Sequence, residues 1–212
     1  MNAWRMDQTK ILTRSEIAEV LADIKRRAKR TLNPKQSLIV FRLATCCGLR
    51  ASEISGLKLQ DVRVGVRRPY INIPKRIAKR KRPRRVPLWW DAGTLADIEA
   101  WKEFRRRQQK AKPTDYFVCT QSKNRYGHPI HPLNLRLRFI SNCRVLGPER
   151  QKHLTIHHGR HSFCSHALAA GRSLAEVRDA AGHANIATTS VYAHVAVEDD
   201  GTIGNIFDFQ PQ

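Results

Sequence analysis

The sequence predicts an α+β fold, mostly α-helical, with one small antiparallel β-sheet or hairpin. Three observations carry that expectation. Capping signals precede apolar positions spaced three and four apart in several stretches. Only residues 70–73 and 85–88 have the composition of strands. No internal repeat or low-complexity linker divides the chain, so one domain is the economical reading.

In chain order, Thr13 and Glu16 have capping-box spacing, and Ile17, Val20, Leu21, Ile24 and Ala28 follow at helical intervals. A helix over residues 14–30 is expected. Asn33-Pro34 breaks the chain, and the apolar run 38–47 predicts a second, more buried helix stopped by Gly48. Ser52 and Glu53 open a short third helix ending near Gly56-Leu57. The two strand segments flank a basic tract, with Pro74 and Pro83 at its inner edges, as a hairpin would require. From Asp91, Leu95, Ile98, Trp101 and Phe104 share one helical face. After a polar link over residues 112–132, another helix spans 133–146, with Leu135, Phe139, Cys143 and Leu146 inward and Gly147-Pro148 at its end. Helices over 162–170, closed by Gly171, and 173–181, opened by Ser173 and Glu176, precede a final helical stretch from about Thr188.

The chain has 212 residues, 41% of them hydrophobic, which is enough for a genuine core and excludes a disordered basic tail. No uncharged apolar run reaches the roughly 18 residues of a membrane span, and the N-terminus lacks the apolar stretch of a signal peptide. Five cysteines, including adjacent Cys46 and Cys47, fit neither a disulfide framework nor a CxxC zinc pattern, so a reducing compartment is expected.

Lys and Arg number 39 against 18 Asp and Glu, for a net charge of +21. The surplus is concentrated: residues 67–85 hold 10 basic and no acidic side chains. A fold tolerates such self-repulsion where a polyanion lies opposite, and DNA or RNA is the first partner to consider. Lys75, Arg76, Arg80, Lys81, Arg82, Arg84 and Arg85 are the candidate DNA-binding residues. A solvated loop, a localisation signal and an anionic membrane patch are the alternatives from charge alone.

Two segments concentrate reactive side chains: His157-His158-Gly159-Arg160-His161, and Gly182-His183 followed nine residues later by Tyr192. His157 and His161 have the i, i+4 spacing of a zinc-binding pair, but no Glu follows the first His and Arg160 puts a cation beside any metal.

Together these residues resemble the tyrosine recombinase, or phage integrase, family. Its first box, G-L-R-x-S-E after a helix end, is matched by Gly48-Leu49-Arg50-Ala51-Ser52-Glu53; its second, H-x-x-R-H, by His157 to His161; its third, G-H followed by a tyrosine, by Gly182-His183 and Tyr192. The family's hairpin ends in V-P-L, and counting back from Val86-Pro87-Leu88 places its catalytic lysine on Lys79, with Lys81 and Lys75 as alternatives. Four boxes in order over residues 10–195 make a specific match. Gly159 and Ala181 depart from the leucines usual in the family, a change of packing rather than of reacting groups.

The resemblance implies the family's catalytic-domain fold over residues 11–196, after an extension over 1–10 and in a short form lacking the N-terminal DNA-clamping domain. It also implies double-stranded DNA as partner, a homotetramer on DNA that is monomeric in free solution, and a location in the cytoplasm with the nucleoid. No membrane, metal or nucleotide cofactor is expected. The tail over 197–212, mildly acidic with Ile203, Ile206, Phe207 and Phe209, is expected to dock onto a body, its own or, packing in trans, a neighbour's.

The implied reaction is site-specific recombination through a 3′-phosphotyrosyl intermediate and a Holliday junction. Its chemistry suits the residue types. Two guanidiniums, Arg50 and Arg160, can clamp the non-bridging oxygens of a phosphodiester under attack. Tyr192 is a nucleophile whose aryl phosphodiester conserves the energy of the broken bond. Lys79 can protonate the departing 5′-oxygen, with His157 as acid/base near the tyrosine and His183 as a hydrogen-bond donor to phosphate. Glu53 is expected to hold Arg50 in place. A type IB topoisomerase-like or telomere-resolving strand transferase would use similar groups, and a catalytically inactive DNA-binding regulator is the non-enzymatic alternative.

Overall fold

A computed structural model describes residues 7–29 and 31–193. The tail over 197–212 and most of the N-terminal extension lie outside the described residues. Helix α1 (Arg14–Ala28) opens on the expected capping box: Thr13 Oγ1 accepts from the Glu16 N–H at 3.1 Å, and Glu16 Oε2 accepts from the Thr13 N–H at 2.8 Å. Its Ile17, Val20, Leu21 and Ile24 are buried.

Helix α2 (Leu32–Thr45) begins well before the apolar run. Pro34 sits in its first turn, where the missing N–H has no intrahelical partner anyway, so Asn33-Pro34 starts this helix instead of breaking the chain. Ile39, Val40, Phe41, Leu43 and Ala44 make α2 the central rod of the core. It packs against α1, α4 (Ala92–Arg107), α5 (Pro132–Asn142) and α7 (Ile156–Ala169). Between these elements, α3 is Ala51–Gly56 and α6 is Pro148–Lys152. The helix expected over 133–146 is α5 to Asn142 and then a 3₁₀ turn, Cys143–Leu146; Gly147 ends that turn and Pro148 takes the first position of α6. Helices α8 (Leu174–Ala181), with its Ser173/Glu176 capping box, and α9 (Ala187–Ser190) complete the described chain.

The sheet has three antiparallel strands in the order β1 (Val62–Arg63), β2 (Tyr70–Ile73), β3 (Arg84–Pro87). Ile71 pairs with both Val62 and Val86, and all three are buried beneath the sheet. The two-residue β1 was not expected, being too short to show alternation. No helix among the described residues is long and apolar enough to cross a membrane.

Gly159 explains its departure from the family pattern. A Cβ there would lie 2.9 Å from Thr45 Oγ1, 3.1 Å from Phe139 Cε2 and 3.2 Å from the Ala44 carbonyl carbon. α7 therefore meets the α2 backbone directly. Gly159→Leu is expected to destabilise the fold by about 3 kcal/mol, the cost of overpacking buried side chains and the α2 backbone, and urea unfolding measures it.

Candidate active site

The site is organised around the C-terminus of α8. Gly182 ends this helix in the left-handed region (φ 68°), a position suited to glycine. Three successive carbonyls there accept from three arginines: Ala180 O from Arg84 Nε at 2.8 Å, Ala181 O from Arg160 Nη2, and Gly182 O from Arg50 Nη2 at 3.4 Å. The partial negative charge of a helix C-terminus favours this gathering of cations. Arg84 comes from β3, Arg160 from α7, and Arg50 from the N-cap of α3.

One carboxylate ties the cluster together. Fully buried Glu53 accepts from Arg84 Nη1 and Nη2 at 2.7 and 2.8 Å, from Arg50 Nη1 at 3.0 Å, and from the Arg50 backbone N–H at 2.9 Å. Burial alone would raise its pKa; the Arg84 and Arg50 guanidiniums outweigh burial and hold it below the ordinary glutamate value. Arg160 is 6% exposed and also donates from Nη1 to Gly48 O at 2.6 Å. Burial first, then the charges of Arg50 and Arg84, push its pKa down to about 10, which leaves it cationic at neutral pH.

The imidazoles lie on two sides of this cluster. His157 is exposed at the start of α7; burial of part of its ring and the charges of Arg136, Arg160, Arg50 and Lys79 lower its pKa. His183 Nδ1 is 2.9 Å from Thr189 Oγ1, and its ring stacks on Tyr192 with centroids 6.2 Å apart and planes 9° apart. Burial, with Arg160 and Arg50, lowers its pKa to about 3, so it is neutral at physiological pH. Tyr192 is buried, and its hydroxyl lies 2.7 Å from His161 Nδ1. Burial raises the phenol pKa well above its ordinary value.

The hairpin arm is pinned at its base and exposed at its tip. Ile77 fills the space over Gly56, where a Cβ would collide with it, while Ala78 is buried and Arg76 pairs with Asp61. Lys79–Lys81 form a 3₁₀ turn in which Arg80 (φ 57°) and Lys81 (φ 55°) adopt left-handed backbone conformations. Lys75, Lys79, Arg80, Lys81, Arg82 and Arg85 are exposed. A cleft of about 660 Å³, lined among others by Arg82, Arg85, Arg178 and His183, joins the arm to the ring cluster.

Residues 10–199 match the model of the Phage integrase family. The chain belongs to this family. It is 27% identical over 178 residues to a tyrosine recombinase of Pseudothermotoga lettingae, covering 84% of this chain and 56% of that protein. It is 33% identical over 151 residues to the tyrosine recombinase XerC of Azotobacter vinelandii, covering 70% of this chain and 44% of that one. The chain thus spans about half the length of the curated relatives it matches. Among solved structures, the XerA recombinase superposes with a TM-score of 0.69 at 19% identity over 88% of this chain and 60% of that one. The XerH recombinase bound to its difH substrate superposes at 0.67 and 20% identity, over 88% and 51%. These likenesses show the integrase-family catalytic fold, mostly helical with a small antiparallel sheet.

Set against the family boxes, the structure brings Arg50, Arg160 and Glu53 into one network, and places His157 and Lys79 in its electrostatic neighbourhood. Arg84 differs from the expectation. Only 7% of its side chain is exposed and its donors are held by Glu53 and Ala180 O, so it braces the cluster and is not one of the exposed hairpin cations. Starting the strand one residue earlier would have placed it on the inward face of Val86. Arg76 is likewise engaged, by Asp61. Tyr192 meets His161, whereas His157 was the expected neighbour. The spacing that raised a metal pair, His157 and His161 on one face of a helix, was the available signal for His161. Arg136, exposed on α5, had no local signal.

Proposed function

We propose that the chain breaks and rejoins DNA in site-specific recombination. Tyr192 attacks a phosphodiester, the phosphorus–oxygen bond to the 5′-oxygen breaks, and a 3′-phosphotyrosyl link and a free 5′-hydroxyl result. Arg50 and Arg160 neutralise charge developing on the non-bridging oxygens. Lys79 gives its proton to the departing oxygen, His157 is the acid/base for the phenol once the phenol reaches it, and His183 donates to phosphate. Glu53, itself gripped by Arg84, holds the Arg50 guanidinium in place, and the Gly48 and Ala181 carbonyls hold that of Arg160. The observation that carries the reading is the convergence of Arg50 and Arg160, 110 positions apart in the sequence, on adjacent carbonyls at the end of α8, ten residues before Tyr192.

The free 5′-end then attacks the phosphotyrosyl link of a partner duplex. Four protomers on two DNA sites, two rounds of exchange through a Holliday junction, and contact of the tail over 197–212 with a neighbouring protomer complete the proposal, which places the protein in the cytoplasm with the nucleoid. The relatives named as tyrosine recombinases and the integrase-family fold support it. A duplex nicked next to the cleavage point loses its leaving fragment and traps the intermediate. The wild-type protein is expected to form a covalent adduct with it and Tyr192→Phe none; an adduct in Tyr192→Phe would reject the assignment.

The exposed arm supplies phosphate contacts. Replacing Arg80, Lys81 and Arg82 with glutamine is expected to weaken DNA binding and to flatten the slope of log K against log salt by about 2 to 3, close to 0.9 for each lost contact. An unchanged slope would show that the arm does not touch the backbone.

A further inference from the structure

His157 and His161 lie four residues apart on one face of α7, so their rings are separated by one helical turn, about 6 Å along the axis. The two ends of that turn differ in surroundings. His157 stands among Arg136, Arg160, Arg50 and Lys79, the cations gathered for a phosphate. His161 has His158 and Tyr192 as ring neighbours, at centroid distances of 5.8 and 5.7 Å, and Arg160 is the cation of the clamp that acts on both His161 and Tyr192. The Tyr192 hydroxyl sits at the second end, 2.7 Å from His161 Nδ1, and His183 stacks on the phenol ring.

We infer that His161 is a positioning residue that stores the Tyr192 phenol, buried and protonated, one turn of α7 away from the cationic cluster in which it acts. The phenol O–H donates to Nδ1 of a neutral imidazole. Burial, then the nearby His158 and His157, push the His161 pKa down to about 4, so the neutral ring is too weak a base to take the proton and only accepts the hydrogen bond. Moving the hydroxyl from His161 to His157 exchanges this bond for one beside Arg50 and Arg160. DNA phosphate in the cluster favours the second position, and without it the phenol remains protected. The consequence for catalysis rests on Tyr192 being the nucleophile; the stored position itself does not.

Two arms separate those questions. In DNA-free protein, tetranitromethane nitration of each tyrosine is followed by peptide mass spectrometry, with half-exposed Tyr126 as internal reference. Tyr192 is expected to react at least about tenfold more slowly than Tyr126. His161→Leu is expected to raise its reactivity about fivefold, the equilibrium value of one ordinary hydrogen bond. His161→Gln, which keeps an acceptor, is expected to stay near wild type. In the second arm, the probe is a nicked duplex that the wild-type protein selects from a randomised pool by covalent capture. At saturating DNA, His161→Leu is expected to form adduct about fivefold faster, with unchanged affinity and melting temperature.

Wild-type Tyr192 nitrated as readily as Tyr126 overturns the inference. So does a folded His161→Leu protein with unchanged nitration or slower adduct formation. Should His161→Leu fail to fold, His161→Gln matching wild type in nitration supports storage, and His161→Gln with Tyr192 as reactive as Tyr126 overturns it. If wild-type protein captures no DNA while nitration behaves as expected, the proposed function fails and the storage contact stands.

Discussion

Replacing Arg160 with alanine is expected to slow formation of the covalent DNA adduct by about a thousandfold or more, the cost of removing a preorganised donor from developing negative charge. The same change should destabilise the fold. Arg160 is the donor to Gly48 O and Ala181 O, and each buried carbonyl left without a partner costs about 1–3 kcal/mol. The two losses can be separated. Arg160→Lys keeps a cation that can reach one carbonyl but lacks the planar fork that spans both. It should therefore recover more of the melting temperature than of the rate. Single-turnover adduct formation at saturating DNA, together with thermal unfolding, tests both statements; an Arg160→Lys protein with wild-type rate would remove the clamp from the mechanism.

Glu53→Gln is expected to be the most destabilising change of a charged residue in the site. It takes the anion from between Arg50 and Arg84 while leaving both guanidiniums in place, and breaking a buried pair from one side costs about 3–5 kcal/mol. The effect has a pH signature. Because the folded-state pKa of Glu53 lies below the unfolded value, its ionisation contributes stability that is complete above the unfolded glutamate pKa of about 4.3 and is lost as the pH falls through the folded value. The stability difference between wild type and Glu53→Gln should accordingly be largest near neutral pH and narrow on acidification. Urea unfolding at a series of pH values measures it, and a difference independent of pH would mean that shape, not charge, explains the loss. Adduct formation should fall with it, since Arg50 loses the bond that fixes its Nη1.

What could be read in the sequence was what is local. The capping boxes of α1 and α8, the apolar faces of α1 and α4, and the strand pair that flanks the basic tract depend on residues within a few positions of one another. The start of α7 was hidden because Ile156 to His161 is polar and histidine-rich, so no apolar period announces it. The start of α2 was hidden by Pro34, which reads as a breaker unless its position within the first turn is known. The reacting groups were legible as motifs, but their partners were not. Arg84 reaches Glu53 across 31 positions, and the three arginines meet only because the start of β3, the N-terminal part of α7 and the N-cap of α3 all face the last turn of α8. The resting place of Tyr192 depends on how α9, packed on α8, directs the following residues to His161 of α7, which no local pattern encodes.

The central claim is that residues far apart in the chain surround one phosphate and that Tyr192 takes it. The most direct test is to digest the trapped protein–DNA adduct and locate the modified side chain by mass spectrometry. The account expects the peptide containing Tyr192 to carry a nucleotide through its 3′-phosphate, with a free 5′-hydroxyl on the released strand. A link to any other side chain, a 5′-phosphate linkage, or strand scission with no protein attached would contradict it.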